Sequence, residues 1–319
     1  MNLTGMPDMT DTTMRAVRLH SYGPPENLVL EVVPRPTPRE GEVLVRVHAV
    51  GVNPFDWKLR KGLIQGLARF TPPLTLGVDL AGVVEEVGPG VVDLQPGQAV
   101  YGGGNATYAE YAISRPGDLA PKPEKLTFEQ AAAVPTGART AWSALITAAE
   151  LRSGQTLLVH GAAGGVGIYA VQLGKWRGAR VVGTASSSNV DFVRSLGADT
   201  AIDYRSTAFE SVVSEVDVVL DTIGGETQAR SWQVLRPGGI LVTTVGRPDE
   251  EQARQRGVRA STVPREAVGA VMRQISALID SGDVVPVVQR VFALEEVAAA
   301  HALSETGHGR GRIVLRVRG

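Results

Sequence analysis

The sequence predicts an α/β protein in two parts, a β-rich barrel-like domain and a doubly wound parallel sheet. Three observations carry that reading. The chain has 319 residues, more than a single core ordinarily serves. Its first third alternates apolar and polar residues between Gly/Pro-rich turns, the period-2 signature of short strands. Beyond about Leu126, β-branched runs alternate with helical stretches, the rhythm of parallel strands joined by crossover helices.

Residues 1–13 carry no patterned run and are expected to be a flexible tail. AVRLH and LVLEVV read as the first strands. In EVLVRVHAVGV, Val43, Val45, Val47 and Ala49 fall on one face, and LAGVVEEVG repeats the alternation. PRPTPREGE, GPGVVDLQPGQ and YGGGN supply turns, and short strands so punctuated suggest a compact barrel. TFEQAAAVPTGARTAWSALITAAEL is Ala-rich and helical in pattern. TLLVHG, RVVGTA, TAIDY, VDVVLDTIG and GGILVTTVG read as parallel strands, with VGIYAVQLGKWRG, NVDFVRSLG and ETQARSWQVLR as helices among them. A last helix, REAVGAVMRQISALIDSG, precedes a β-type segment that matches the first domain in character. The expected organisation places 14–127 with 282–319 in the barrel-like domain and 128–281 in the parallel-sheet domain.

Composition narrows the function. Lys plus Arg (32) balance Asp plus Glu (33), so the broad positive surface that nucleic acid requires is not expected. The densest basic stretch, GRPDEEQARQRGVR, is broken by acids and reads as a solvated helix face or loop. No apolar run reaches the ~20 residues that span a membrane, and the first residues lack a signal-peptide pattern; a cytoplasmic protein is expected. The absence of cysteine excludes disulfides, thiolate zinc sites and a cysteine nucleophile. The five histidines, at 20, 48, 160, 301 and 308, show no paired ligand spacing.

LLVHGAAGGVGIYAVQL sets a glycine turn between a strand and a helix. Ala162, Gly164 and Gly167 occupy the three positions of G-x-G-x-x-G, with alanine in the first. Gly164 permits a pyrophosphate to approach the backbone, and Gly167 lets the helix pack closely on the strand. The helix N-terminus supplies N–H groups and partial positive charge. Gly161, Ala162, Ala163, Gly164, Gly165, Val166 and Gly167 are therefore the expected dinucleotide loop. NAD-preferring sites place an acid about twenty residues on, for the ribose 2′-hydroxyl. Here Ser186, Ser187 and Ser188 stand in that place and Asp191 falls too late. Hydroxyls accept a 2′-phosphate that a carboxylate would repel, so NADPH is the expected cofactor. Asp221, Thr222 and Ile223 end a strand at the crevice where such sheets bind ligands, and Val245 and Gly246 end the next.

From Met14 onward the chain resembles the zinc-free quinone oxidoreductase branch of the medium-chain dehydrogenase/reductase superfamily. The resemblance rests on GVNPFDWKLRKG, LGVDLAGVVEEVG, GQAVYGGGNATYAEY, AAAVPTGARTAW, VHGAAGGVG, SLGAD and GGILVTTVG. It implies a GroES-like domain, a Rossmann domain, an active site between them, and a homodimer formed by edge strands of the cofactor sheets. Zinc-dependent relatives carry a Cys ligand where this chain has Asn53 and a His ligand where it has Val78, followed by an acid, here Asp79. Their four-cysteine lobe is also missing, so no metal is expected.

Without a Lewis acid to stabilise an alkoxide, the resemblance implies reduction of quinones or α,β-unsaturated carbonyls. Hydride from nicotinamide is accepted, and donors stabilise the oxyanion that develops. By position in the family pattern, Asn53 and Lys58 are those donors. The alternatives are that Asn53 starts a turn before Pro54 and that Lys58 is solvated. Asp56 reads as a capping or structural group, and Phe55 and Trp57 as packing residues. Thr140 resembles a threonine that reaches nicotinamide, and Tyr204 a tyrosine near the adenosine 2′-phosphate. Val245 and Gly246 are expected to offer backbone to the carboxamide. Arg312 matches a basic position that contacts cofactor or, equally, makes a surface salt bridge. Tyr101 and Tyr108 are candidates to line the pocket. Two other readings stay open, an enoyl-thioester reductase and a non-catalytic, crystallin-like NADPH-binding protein. A serine hydrolase is excluded by the lack of G-x-S-x-G.

Overall fold

The computed structural model describes residues 12–64 and 71–318. Most of the expected tail, residues 1–11, lies outside them. The sequence boundary after residue 13 needs one correction. Thr13 already pairs with Pro34, and the Arg35 N–H donates to the Thr12 carbonyl at 2.9 Å.

In chain order the first part comprises β1 (Thr13–Leu19), β2 (Leu28–Pro34), β3 (Val43–Val52), α1 (Pro54–Arg60), β4 (Leu74–Thr75), β5 (Asp79–Val87), β6 (Ala99–Gly103), β7 (Tyr111–Ser114) and β8 (Leu119–Pro121). Helices α2 (Phe128–Ala132) and α3 (Pro135–Trp142) follow. The next part runs β9 (Thr156–Val159), α4 (Gly167–Trp176), β10 (Arg180–Ala185), α5 (Val190–Ser195), β11 (Thr200–Asp203), β12 (Val216–Asp221), α6 (Gly225–Ser231), β13 (Leu235–Thr243), α7 (Glu250–Gln255), β14 (Arg259–Thr262) and α8 (Val268–Ser281). The chain ends in β15 (Val288–Ala293), α9 (Val297–Glu305) and β16 (Arg312–Arg316).

Strands β9–β14 form one parallel sheet in the order β11-β10-β9-β12-β13-β14, with the order reversing beside β9. Neighbouring residues on its strands face opposite cores. Leu157 and Val159 join the core that packs α3, α4 and α8, whereas Leu158 joins the one that packs Phe209 and Trp232. Burial on both faces explains why these strands read as unbroken apolar runs. The first domain's larger sheet runs β15-β16-β3-β5-β6-β8, with β7 also on β3, and a smaller sheet pairs β2-β1-β4. β16 lies antiparallel to β3, with Ile313 opposite Val52.

The Ala-rich stretch is less regular than its composition suggests. Pro135 has no N–H to continue α2, so it opens α3 instead. Ser143–Ala148 then widens into a π-helix, and Trp142 stacks on Trp176 at 5.9 Å.

Candidate functional site

The carboxyl ends of all six parallel strands open into one cleft of about 1420 Å³, roofed by residues of the first domain. That exceeds the ~300–1,000 Å³ of pockets for drug-sized ligands. Five inter-strand spacings of about 4.8 Å make the sheet side of the cleft roughly 24 Å long. The glycine turn leaves β9 at the point where strand order reverses.

Within that turn, Gly161, Ala163, Gly164, Gly165 and Val166 line the cleft. A Cβ on Gly164 would meet only the Gly161 carbonyl, at a tight 3.2 Å, with nothing else within 4 Å. Gly167 does not line the cleft. A Cβ there would come within 2.2 Å of the Gly161 carbonyl, so this glycine lets α4 press against the turn. Ala162 is buried beneath it. His160 holds the base, its Nδ1 3.1 Å from the Thr184 hydroxyl and its Nε2 2.9 Å from that of Ser231. Burial lowers its pKa to about 4, keeping the ring neutral near pH 7.

At the β10–β11 end, Ser186, Ser188 and Tyr204 reach the cleft wall, whereas exposed Ser187 does not. Two cations join them that sequence reasoning missed. Arg205 lies 5.8 Å from the Tyr204 ring. Arg310 donates to the Ser188 carbonyl at 2.8 Å and to Asn189 Oδ1 at 3.0 Å. Thr222 and Ile223 after β12, and Val245 and Gly246 after β13, line the central and opposite stretches. Asp221 does not. It is buried and accepts the N–H groups of Ile223 and Gly224, each at 2.9 Å, so it shapes the loop from behind.

The roof is organised by a buried polar group. Asn53, Asp79 and Arg312 are 1%, 2% and 4% exposed. Arg312 donates to Asn53 Oδ1 at 2.7 Å and to Asp79 Oδ2 at 3.0 Å, and Asn53 Nδ2 donates to the same oxygen at 3.0 Å. Asp79 Oδ1 accepts from Thr136 of α3, through N–H at 3.2 Å and Oγ1 at 2.6 Å, tying the domains together. Arg312 therefore does not make a surface salt bridge; it is paired inside the protein, with its guanidinium against Gly165. Asn53 and Lys58 both line the cleft, as does Thr140. One amide N–H of Asn53 is committed to Asp79, and the other remains.

Asp56 behaves as a cap. Its Oδ2 accepts the Asn53 N–H at 2.7 Å and the Tyr108 hydroxyl at 3.0 Å, which fixes the entry to α1. Burial pushes its carboxyl up to about 7 and raises the Tyr108 phenol well above its usual range. Neither Tyr108 nor Tyr101 lines the cleft. Both are fully buried, and the Tyr101 hydroxyl donates to the Met272 carbonyl at 2.9 Å. Phe55, expected to pack inside, is exposed on the cleft wall, while Trp57 lies under Lys58 and Lys61. Among the described residues no three His, Asp or Glu side chains converge to hold a metal ion, and no helix is long and apolar enough to cross a membrane.

A barrel-like domain closing over the switch point of a six-stranded parallel sheet, with a glycine turn at its centre, defines a dinucleotide-dependent oxidoreductase architecture. Comparison with known proteins agrees. Residues 39–124 match the alcohol dehydrogenase GroES-like domain, and 196–315 match a zinc-binding dehydrogenase domain. Mouse quinone oxidoreductase is 32% identical, covering 95% of this chain and 97% of its own length. The chloroplastic NADPH-dependent alkenal/one oxidoreductase of Arabidopsis thaliana is 35% identical over 95% of this chain and 79% of its own. The solved quinone oxidoreductase of Coxiella burnetii superposes with a TM-score of 0.89 at 34% identity, covering 96% of this chain and all of its own. The chain belongs to the quinone oxidoreductase branch of the medium-chain dehydrogenase/reductase superfamily.

Proposed function

We propose that the protein is an NADPH-dependent, zinc-independent reductase of quinones or α,β-unsaturated carbonyls. The observation that carries this is the cleft itself. It holds a glycine turn at the sheet's switch point and a phosphate-compatible cluster at one end, and among the described residues no Asp or Glu lines it. The names of the mouse and Arabidopsis relatives support both acceptor classes.

The donor set does not fit zinc. Asn53 and Val78 stand where zinc-dependent relatives carry Cys and His, and Asn53 is already bonded to an arginine and a carboxylate. The residues do fit a dinucleotide. Gly164 and its neighbours would take the pyrophosphate, with the N-terminus of α4 behind them. Ser186, Ser188, Tyr204, Arg205 and Arg310 would take a 2′-phosphate, supplying the positive charge that the serines lack. Thr140, Thr222, Ile223, Val245 and Gly246 would flank the remainder.

NADPH, when bound, would supply a hydride; the acceptor, gaining that hydride and one proton from solvent, would be reduced by two electrons. The chain's part is to align the acceptor, exclude water and stabilise the oxygen on which negative charge grows. The free amide N–H of Asn53 and the ammonium of Lys58 serve that end. Asn53 is preorganised for it, because Arg312 and Asp79 hold both ends of its amide. A homodimer joined along edge strands of the parallel sheets, and a cytoplasmic location, belong to the same proposal.

The test is NADPH oxidation, with NADH in parallel, against 1,4-benzoquinone, 9,10-phenanthrenequinone, a short enone and crotonyl-CoA. Turnover of quinone or enone with NADPH supports the proposal, and Asn53→Ala and Lys58→Ala should each lower kcat. Turnover of crotonyl-CoA alone assigns an enoyl-thioester reductase. Cofactor binding with no acceptor reduced refutes the enzyme reading.

A further inference from the structure

The cleft holds more positive charge than a dinucleotide uses. Among the described residues seven cationic side chains line it and no carboxylate does. Four are spoken for. Arg205 and Arg310 sit at the 2′-phosphate end, Arg312 is paired with Asp79, and Arg230 is paired with Glu210 at 2.6 Å. Lys58, Arg139 and Arg265 are left.

Arg139 is the informative one. It lies on α3, three residues after Thr136 and four before Ser143, so the three share one face of the helical segment. Its side chain is half-buried in the cleft wall. Among the described residues no ion pair, side-chain hydrogen bond or ring contact holds its guanidinium. A carboxylate does reach this segment one turn further on. It is Glu266, and its two oxygens are taken by the hydroxyls of Ser143 and Thr147, the latter at 2.9 Å. A guanidinium partly withdrawn from water with no anion beside it is an unfavourable arrangement that a ligand can relieve.

The dinucleotide does not meet that need. Gly137 of the same helix abuts Gly165 of the glycine turn, but Arg139 lies two residues on, about 200° round the helix, on the face of Ser143, which Glu266 ties to the loop that follows β14 at the edge of the sheet away from the β10–β11 end. Arg265, beside Glu266, lines the same end. A planar guanidinium fork matches a carboxylate or phosphate with two parallel hydrogen bonds. A neutral quinone offers no such group.

We propose that Arg139 is a specificity-determining residue that binds an anionic group of the acceptor, so that the substrate class is an acidic α,β-unsaturated carbonyl compound. This rests on the reductase reading above. The anion is a carboxylate on the enone itself or the phosphate of a thioester carrier, the guanidinium chemistry being shared. Lys58, on α1 in the cleft wall, is left to the carbonyl oxygen.

The experiment measures kcat/KM with saturating NADPH for two matched pairs of acceptors. One pair is (E)-4-oxopent-2-enoate and its neutral counterpart (E)-hex-3-ene-2,5-dione. The other is crotonyl-CoA and crotonyl-N-acetylcysteamine. The readout is the anionic-to-neutral ratio in wild type divided by that in Arg139→Gln, which cancels the differing intrinsic reactivity of the compounds. A fall of about 10- to 100-fold in one pair, carried by KM, is expected, the range of one charge-assisted hydrogen-bonded pair. Arg139→Lys should retain part of the preference. A change confined to the first pair identifies a carboxylate, and one confined to the second a phosphate. A ratio that R139Q leaves unmoved in both pairs overturns the proposal. If NADPH binds but no acceptor of either charge is reduced, the reductase reading fails instead. Calorimetric binding of 4-oxopentanoate and of coenzyme A to the NADP⁺ complex then decides Arg139 alone: tenfold weaker binding of either in R139Q upholds it, and equal or absent binding of both in the two proteins refutes it.

Discussion

Replacing Asp56 with asparagine should make the protein progressively more stable than wild type as the pH rises. Asp56 is fully buried, and desolvation raises its carboxyl from 3.8 to about 7. The folded state therefore holds this proton where the unfolded chain has released it. Stability then falls as pH rises, because the native state binds more protons than the unfolded one. With 1.36 kcal/mol per unit, a carboxyl moving from 3.8 unfolded to about 7 folded costs about 2 kcal/mol at pH 5 and about 4 kcal/mol at pH 8. The asparagine amide does not titrate. Its carbonyl can accept both bonds now made to Oδ2, from the Asn53 N–H and the Tyr108 hydroxyl, while its amide nitrogen takes the place of Oδ1, which has no partner. Urea denaturation of both proteins at several pH values measures the difference directly. The stability of D56N minus that of wild type should rise by roughly 2–3 kcal/mol between pH 5 and pH 8. A difference that stays flat would mean that Asp56 is ionised throughout, and the desolvation argument would be wrong.

Two further outcomes are expected. Arg310→Ala should raise KM for NADPH about tenfold, as loss of one partly exposed phosphate contact, and leave KM for NADH unchanged; equal effects on both cofactors would remove Arg310 from the 2′-phosphate site. In the buried group beneath the roof, Asp79→Asn and Arg312→Met should each cost about 3–5 kcal/mol by stranding a charge, and the double variant markedly less than their sum. Additive losses in denaturation would show that the pair does not act as a unit.

What the sequence disclosed follows from the range of the interactions involved. The parallel sheet was legible because each strand's neighbours and faces impose an apolar run on a few consecutive residues. The glycine turn was legible because strand, turn and helix meet within it. The roof was not, since Arg312 meets Asp79 and Asn53 only after the intervening sheet has folded between them. Sequence position alone could not tell an internal ion pair from a surface one. The same distance hid Arg310, which reaches Ser188 from the loop before β16; the run HGRGR offered two arginines and no means of choosing between them. Arg205 carried a usable signal, standing directly after Tyr204 at a strand end. Tyr101, Tyr108 and Asp221 misled for a common reason. A polar side chain near a cleft and one supporting its wall occupy neighbouring positions, and only the direction of the side chain separates them.

The pairing of β16 with β3 sets an order of events during synthesis. β3 is made early, and β7 soon covers the Val43–Arg46 end of the edge that faces away from β5, yet the Ala49–Val52 end of that edge has no neighbour until the whole parallel sheet and then β16 have emerged. The cofactor domain, whose strands all lie between those two, has every partner it needs before that moment. A growing chain therefore holds a complete parallel-sheet domain while the domain that will roof the cleft still presents an open, apolar stretch of strand edge, the kind of surface on which chains associate wrongly. Arg312, which bonds Asn53 and Asp79, sits on that late strand. Closure of the barrel and completion of the cleft's roof are thus a single step of assembly.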